Sequence, residues 1–88
     1  MGGGVSHVWP DGLPLDVVCD AEGTPQRLRL RGNWHIVAEV ATRWRVRKGW
    51  WRHGRWREYV TVATAGHLLL TLARELPDGS WELLYLHD

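Results

Sequence analysis

The chain of 88 residues contains no phenylalanine, one cysteine and one methionine, and a single lysine against ten arginines. A lone thiol, Cys19, leaves neither an internal disulfide nor a structural zinc site built from cysteines within one chain. Such cysteine usage fits a reducing, intracellular compartment. No apolar run approaches the roughly 20 residues that span a bilayer as a helix. The first residues also lack the basic, apolar and small-residue order of a signal peptide, so the expected location is cytoplasmic, with no membrane partner.

Signs of catalysis are equally scarce. The five histidines show neither i,i+2 nor i,i+4 spacing, so a metal site needs a tertiary cluster that the sequence does not foretell. There is no glycine-rich phosphate loop opening a helix, no Gly-x-Ser-x-Gly, and no carboxylate pair beside an obvious polar pocket. Cys19, in the apolar run Leu15-Asp16-Val17-Val18-Cys19, reads as a buried, inert thiol. The expectation is a non-enzymatic protein with no cofactor and no metal.

What the chain does have is polarised. Ten of its eleven basic residues lie between Arg27 and Arg57, with five of its seven tryptophans and one acid, Glu39, giving a local excess of +9 in a protein of net charge +1. Acids collect on either side, from Asp11 to Glu22 and from Glu58 to Asp88, where they can fold back onto the arginines. The run Arg43-Trp44-Arg45-Val46-Arg47-Lys48-Gly49-Trp50-Trp51-Arg52-His53-Gly54-Arg55-Trp56-Arg57 sets fixed positive charge beside flat π-faces. That combination suits phosphate contact and base stacking. It also suits a plain structural role, because a small domain without Phe has Trp as its largest core side chain. Excess arginine over lysine reflects genome composition as readily as guanidinium chemistry and carries no weight here.

The backbone pattern is that of an all-β fold. Alternating or β-branched segments run from Leu15 to Asp20, Gln26 to Arg31, Trp34 to Arg47, Trp56 to Ala63, His67 to Leu76 and Trp81 to His87, six strands separated by Gly, Pro, Asn and Asp. Residues 1–12 read as a flexible N-terminal segment, with Trp9-Pro10-Asp11-Gly12 a turn, and residues 13–88 as one small β domain. Gly32-Asn33 is expected as a two-residue hairpin turn and Pro77-Asp78-Gly79-Ser80 as another. The long third segment places Trp34, Ile36, Trp44 and Val46 on an apolar face and Arg43, Arg45 and Arg47 on the other, with a bend or bulge near Glu39 to Thr42. Strands this short and numerous curl into a small open barrel or half-barrel, SH3-like, of five or six strands. A helix over Gly66 to Leu76 competes on propensity, and the short connection to the preceding Thr-rich strand argues against it.

The order Arg-Trp-Arg-Val, Gly-Trp-Trp-Arg, Arg-Glu-Tyr-Val, a Leu-rich strand and Gly-Ser-Trp-Glu-Leu-Leu-Tyr-Leu-His-Asp resembles the C-terminal domain of ImuB proteins, the inactive Y-family polymerase-like subunits of the bacterial translesion mutasome. It is also similar to small stand-alone bacterial domains with this tail. The resemblance spans roughly Gln26 to Asp88 and implies a non-catalytic module working beside DNA-repair or damage-tolerance proteins. The chain departs from those larger proteins in having no polymerase-like body, and its tail ends His87-Asp88 with Tyr85 two positions earlier.

Candidate binding residues follow from charge and aromaticity. Arg43, Arg45, Arg47, Lys48, Arg52, Arg55 and Arg57 supply cations, with Trp50 and Trp51 as stacking platforms in the Gly-flanked connection Gly49 to Gly54. Trp34, Trp44 and Trp81, on faces shared with Ile, Val and Leu, are expected in the core. Arg27, Arg29 and Arg31 join Arg43, Arg45 and Arg47 in a two-row basic face if the strands pair in register, relieved by Glu39, Glu58 and Glu82 or by an anionic partner. The partner is nucleic acid, single strands foremost, or an acidic protein surface met by an adaptor with exposed Trp and Arg. A purely structural domain, with every tryptophan buried, is the third possibility.

Overall fold

The computed structural model describes residues 7–48, 55–76 and 79–87. They form seven β-strands: β1 (His7–Pro14), β2 (Asp16–Cys19), β3 (Pro25–Leu30), β4 (Asn33–Lys48), β5 (Arg55–Thr64), β6 (Leu69–Leu76) and β7 (Glu82–His87). All pairings are antiparallel, in the order β1-β7-β6-β5-β4-β3-β2. Six of the strands match the segments expected from alternation, and β6 is a strand rather than a helix. The seventh, β1, is the addition.

The chain path forces the sheet to curl. β1 and β2 lie at opposite ends of the strand order, yet Leu15 alone separates them in sequence. Laid flat, seven strands put their edges roughly 29 Å apart, whereas one residue reaches only about 3.5 Å. The two edges must therefore meet near Leu15, whose amide donates to the Trp81 carbonyl at 3.1 Å. The result is an open antiparallel half-barrel with its core on the concave side.

The fold takes in residues that the sequence assigns to a flexible segment. Val8 pairs with Tyr85 and Leu13 with Leu83, and Trp9 packs against the core, so residues 7–12 belong to the fold. The Trp9-Pro10-Asp11-Gly12 signal produces a register irregularity inside β1 instead of a turn before it. An edge strand tolerates proline, which removes no ladder bond on its open side. Gly12, at φ +79°, also lies so close to Glu82 that an added Cβ would stand 2.7 Å from its carboxyl carbon.

The β3–β4 turn is Arg31-Gly32, one residue before the expected pair. Leu30 and Asn33 face each other across it, and both central residues have positive φ, 53° and 81°. That is the signature of a type I′ turn, whose twist matches the flanking strands. β6 and β7 pair antiparallel, their ladder ending at Ala73 and Glu82; Pro77 and Asp78 of the expected turn lie outside the described residues.

Leu28, Leu30, Val60, Val62, Leu70, Leu72 and Leu83 are fully or almost fully buried, with Trp81 and Leu86 beside them. Their burial decides which way β4 faces. Leu28 and Leu30 oppose His35 and Asn33, so these point inward while Trp34 and Ile36, opposite Arg29 and Arg27, point outward. Register shifts between Val37 and Glu39 and between Val40 and Thr42 bend β4 in the region expected. Two shifts cancel in parity, so Trp44 and Val46 return to the outer face with Trp34 and Ile36. The face of β4 that carries Trp34, Ile36, Trp44 and Val46 is thus its exposed side, while Val37 and Val40 pack against the core. Of the three tryptophans expected in the core, Trp81 is there, and Trp34 and Trp44 are 48% and 44% exposed.

Candidate functional site

Beyond β3, β4 and β5 run on as an arm, with β6 paired along β5 as far as Leu76, in which Arg43, Arg45 and Arg47 oppose Val60, Glu58 and Trp56, while Trp44 and Val46 oppose Tyr59 and Arg57. Paired residues share a face, so the arm carries guanidinium groups on its inner side and an aromatic stack on its outer side.

Glu58 organises the inner side. It is inaccessible to solvent, and its Oε2 accepts from Arg43 Nε at 2.9 Å and Arg45 Nε at 3.2 Å, while Oε1 accepts from Arg74 Nε at 3.1 Å. Arg43 Nη1 also donates to Thr24 Oγ1 at 3.0 Å. The Arg74 guanidinium lies 4.5 Å from the centroid of the Trp81 ring, against the core. Burial pushes the Glu58 carboxyl up, but hydrogen bonds from Arg43 and Arg45, the charge of Arg43 and a bond from Arg74 together hold it below its ordinary value. Three guanidiniums around one carboxylate leave two positive charges over. Arg45, with 55% of its side chain exposed, carries that excess toward solvent.

Further along, Arg47 and Trp56 are both exposed, with the guanidinium 6.0 Å from the ring centroid. On the outer side, Trp44 and Tyr59 stack at 5.2 Å with 10° between planes, and Arg57 lies 5.7 Å from the Tyr59 ring while donating to Glu82 at 3.2 Å. A second stack, Tyr85 on His87 at 5.9 Å, lines a groove of about 560 Å³ together with Trp44, Val46, Tyr59, Thr71 and Leu84. At the other end of β4, Arg27 covers the exposed Trp34 at 5.2 Å.

No family model, curated protein or solved structure matches this chain.

The candidate residues of the sequence therefore separate into groups. Arg43, Arg45 and Arg47 come together on one face as alternation requires, but Arg43 is committed to Glu58 and Thr24. Arg57 is held by Glu82 on the opposite face. Trp50, Trp51, Arg52 and the side chains of Lys48 and Arg55 lie outside the described residues. The two-row basic face does not form, because β3 meets β4 only over Asn33–Ile36, where Arg27 and Arg29 share the outer face with Trp34 and Ile36. Arg43, Arg45 and Arg47 lie on the inner face, on the other side of the sheet. The Trp44–Tyr59 stack and the Tyr85–His87 pair escaped sequence reasoning, since each ring looks ordinary until register sets it beside its neighbours. Among the described residues, no three His, Cys, Asp or Glu side chains gather as a metal site, and no helix is long and apolar enough to cross a membrane.

Proposed function

We propose that this protein is a non-enzymatic β module that binds single-stranded nucleic acid, with the β4–β5 arm as its contact surface. The observation that carries the reading is the exposure of Trp34, Trp44 and Trp56 at 44–48% each, while Leu, Val and Trp81 fill the core without them. Contiguous exposed apolar patches mark contact surfaces, and on the outer face the exposed Trp44, Val46 and Tyr85 line one groove. The exposure also argues against a purely structural domain with every tryptophan buried.

Chemistry supports a nucleic-acid ligand. Trp34 and Trp56 each sit beside a guanidinium, from Arg27 and Arg47, and the Trp44 stack partner Tyr59 lies beside Arg57. A base stacking on such a ring gains about 1–3 kcal/mol, and the exposed cations Arg27 and Arg47 are the ones placed to meet the phosphate. Both faces of the arm offer this pairing, and by sequence Lys48, Trp50, Trp51, Arg52 and Arg55 extend the same composition to its end. A damage-tolerance setting is what the ImuB-like tail adds.

The test is anisotropy of a labelled oligothymidine at low and moderate salt, with wild type and the Trp50→Ala/Trp51→Ala double variant, circular dichroism confirming the fold. Binding that weakens steeply with salt and is reduced in the folded variant supports the proposal. Absent or salt-independent binding by the wild type rejects it.

A further inference from the structure

β4 is only partly sheathed. Over Asn33–Ile36 it pairs with β3, and from Val37 to Lys48 it pairs with β5. Among the described residues, no strand lies along the second edge of the segment Trp44–Lys48. An open edge of backbone N–H and C=O groups is a template for another strand.

Its side chains decide which strand. Arg45 and Arg47 lie on one face of this segment and Trp44 and Val46, both exposed, on the other, with Lys48 at the end. A second copy pairing edge to edge would bring arginine rows together, which repel. A strand with acids at alternate positions and apolar residues between them fits instead. Its carboxylates would sit beside Arg45 and Arg47 and its apolar side chains beside Trp44 and Val46. On the closed side of β4 one such pairing already exists, because Glu58 stands directly opposite Arg45 and accepts from its Nε at 3.2 Å.

We propose that the open edge Trp44–Lys48 receives an extended segment of a partner protein, alternating acidic and apolar residues, by strand addition. Main-chain hydrogen bonds supply affinity and the alternating side chains supply selectivity. Stacking of bases uses ring faces, whereas this contact uses the backbone edge, so it stands apart from the nucleic-acid proposal while drawing on the same arginines.

The experiment uses the intact chain and three labelled peptides of sequence Glu-Val-Glu-Val-Glu-Val-Glu: one unmodified, one N-methylated at the valine amides and one at the glutamate amides. Alternate amides of an added strand point toward its neighbour. The expected result is binding of the unmodified peptide, a loss of about tenfold or more for one methylated set only, and slowed amide exchange within Trp44–Lys48. An Arg47→Glu variant, altered at an exposed site, should also bind about tenfold more weakly. Equal affinity for all three peptides would mean charge attraction alone, and no binding of the unmodified peptide would mean no strand site; either overturns the proposal. Oligothymidine binding is read separately, so the two proposals can fail independently.

Discussion

Trp44 and Tyr59 stand directly opposite each other on β4 and β5, their rings stacked 5.2 Å apart and 10° from parallel. The stack lies on the outer face, away from the Leu and Val core, so it stiffens the arm without being part of the barrel interior. Aromatic pairs of this geometry contribute about 0.5–1.5 kcal/mol beyond burial. A double-mutant cycle of Trp44→Ala and Tyr59→Ala in urea should return a coupling in that range. Additive losses would mean that the rings are neighbours without being partners.

Glu58→Gln should be the most damaging of the conservative changes on the arm. It removes the one charge that reconciles Arg43, Arg45 and Arg74 around an inaccessible site. Breaking such a pair from one side costs about 3–5 kcal/mol, and the partial exposure of the arginines sets the expectation at about 3 kcal/mol. Chemical denaturation measures it; a loss within experimental error would show that the cluster is decorative.

Acid should act through the same group. The folded-state pKa of Glu58 lies below its ordinary value of 4.5, so its contribution to stability is fully present above that value and is lost as pH falls through the lower, folded-state value. Melting temperature followed downward from pH 6 should therefore drop more in wild type than in Glu58→Gln. Parallel curves would contradict this assignment.

Arg31→Asn should stabilise the protein. Arg31 holds φ 53° in the turn before β4, a conformation costing a non-glycine residue about 1–2 kcal/mol, and Asn-Gly is the preferred pair for this turn. A gain of about 1 kcal/mol in thermal or chemical unfolding is expected. No gain would mean that Arg31 makes a compensating contact.

Removing Arg47, exposed on the arm, should flatten the dependence of log K on log salt for oligothymidine by about 0.7, the share of one phosphate contact on a single strand. An unchanged slope would place phosphate contact elsewhere.

Six of the seven strands were legible because alternation of Leu with Arg, or Val with polar residues, has the same period as the pleat. β1 was not, since Pro10 and Gly12 imitate a turn and the partner strand is the last one in the chain, pairing His7 with Leu86 and Pro14 with Glu82, which local pattern cannot show. Facing was the harder matter. Trp34, Ile36, Trp44 and Val46 do share a face of β4, but whether it is inner or outer is settled by Leu28, Leu30 and Val60 on neighbouring strands. Glu58 could be named as a counter-charge from its place beside the basic block. Its burial under three arginines from two other strands required the register. Of the site itself, the Arg and Trp content was readable, while the split into a committed inner cluster and exposed ring faces was not.

Base contact by the exposed tryptophans of the β4–β5 arm can be read ring by ring. Indole N–H signals of the intact protein, assigned by single Trp→Phe substitutions and followed by NMR during titration with oligothymidine, report each ring separately. Shifts of Trp44 and Trp56 with an unmoved Trp81 are the predicted result. Shifts absent from both arm tryptophans at saturating oligonucleotide would rule out base contact by the arm.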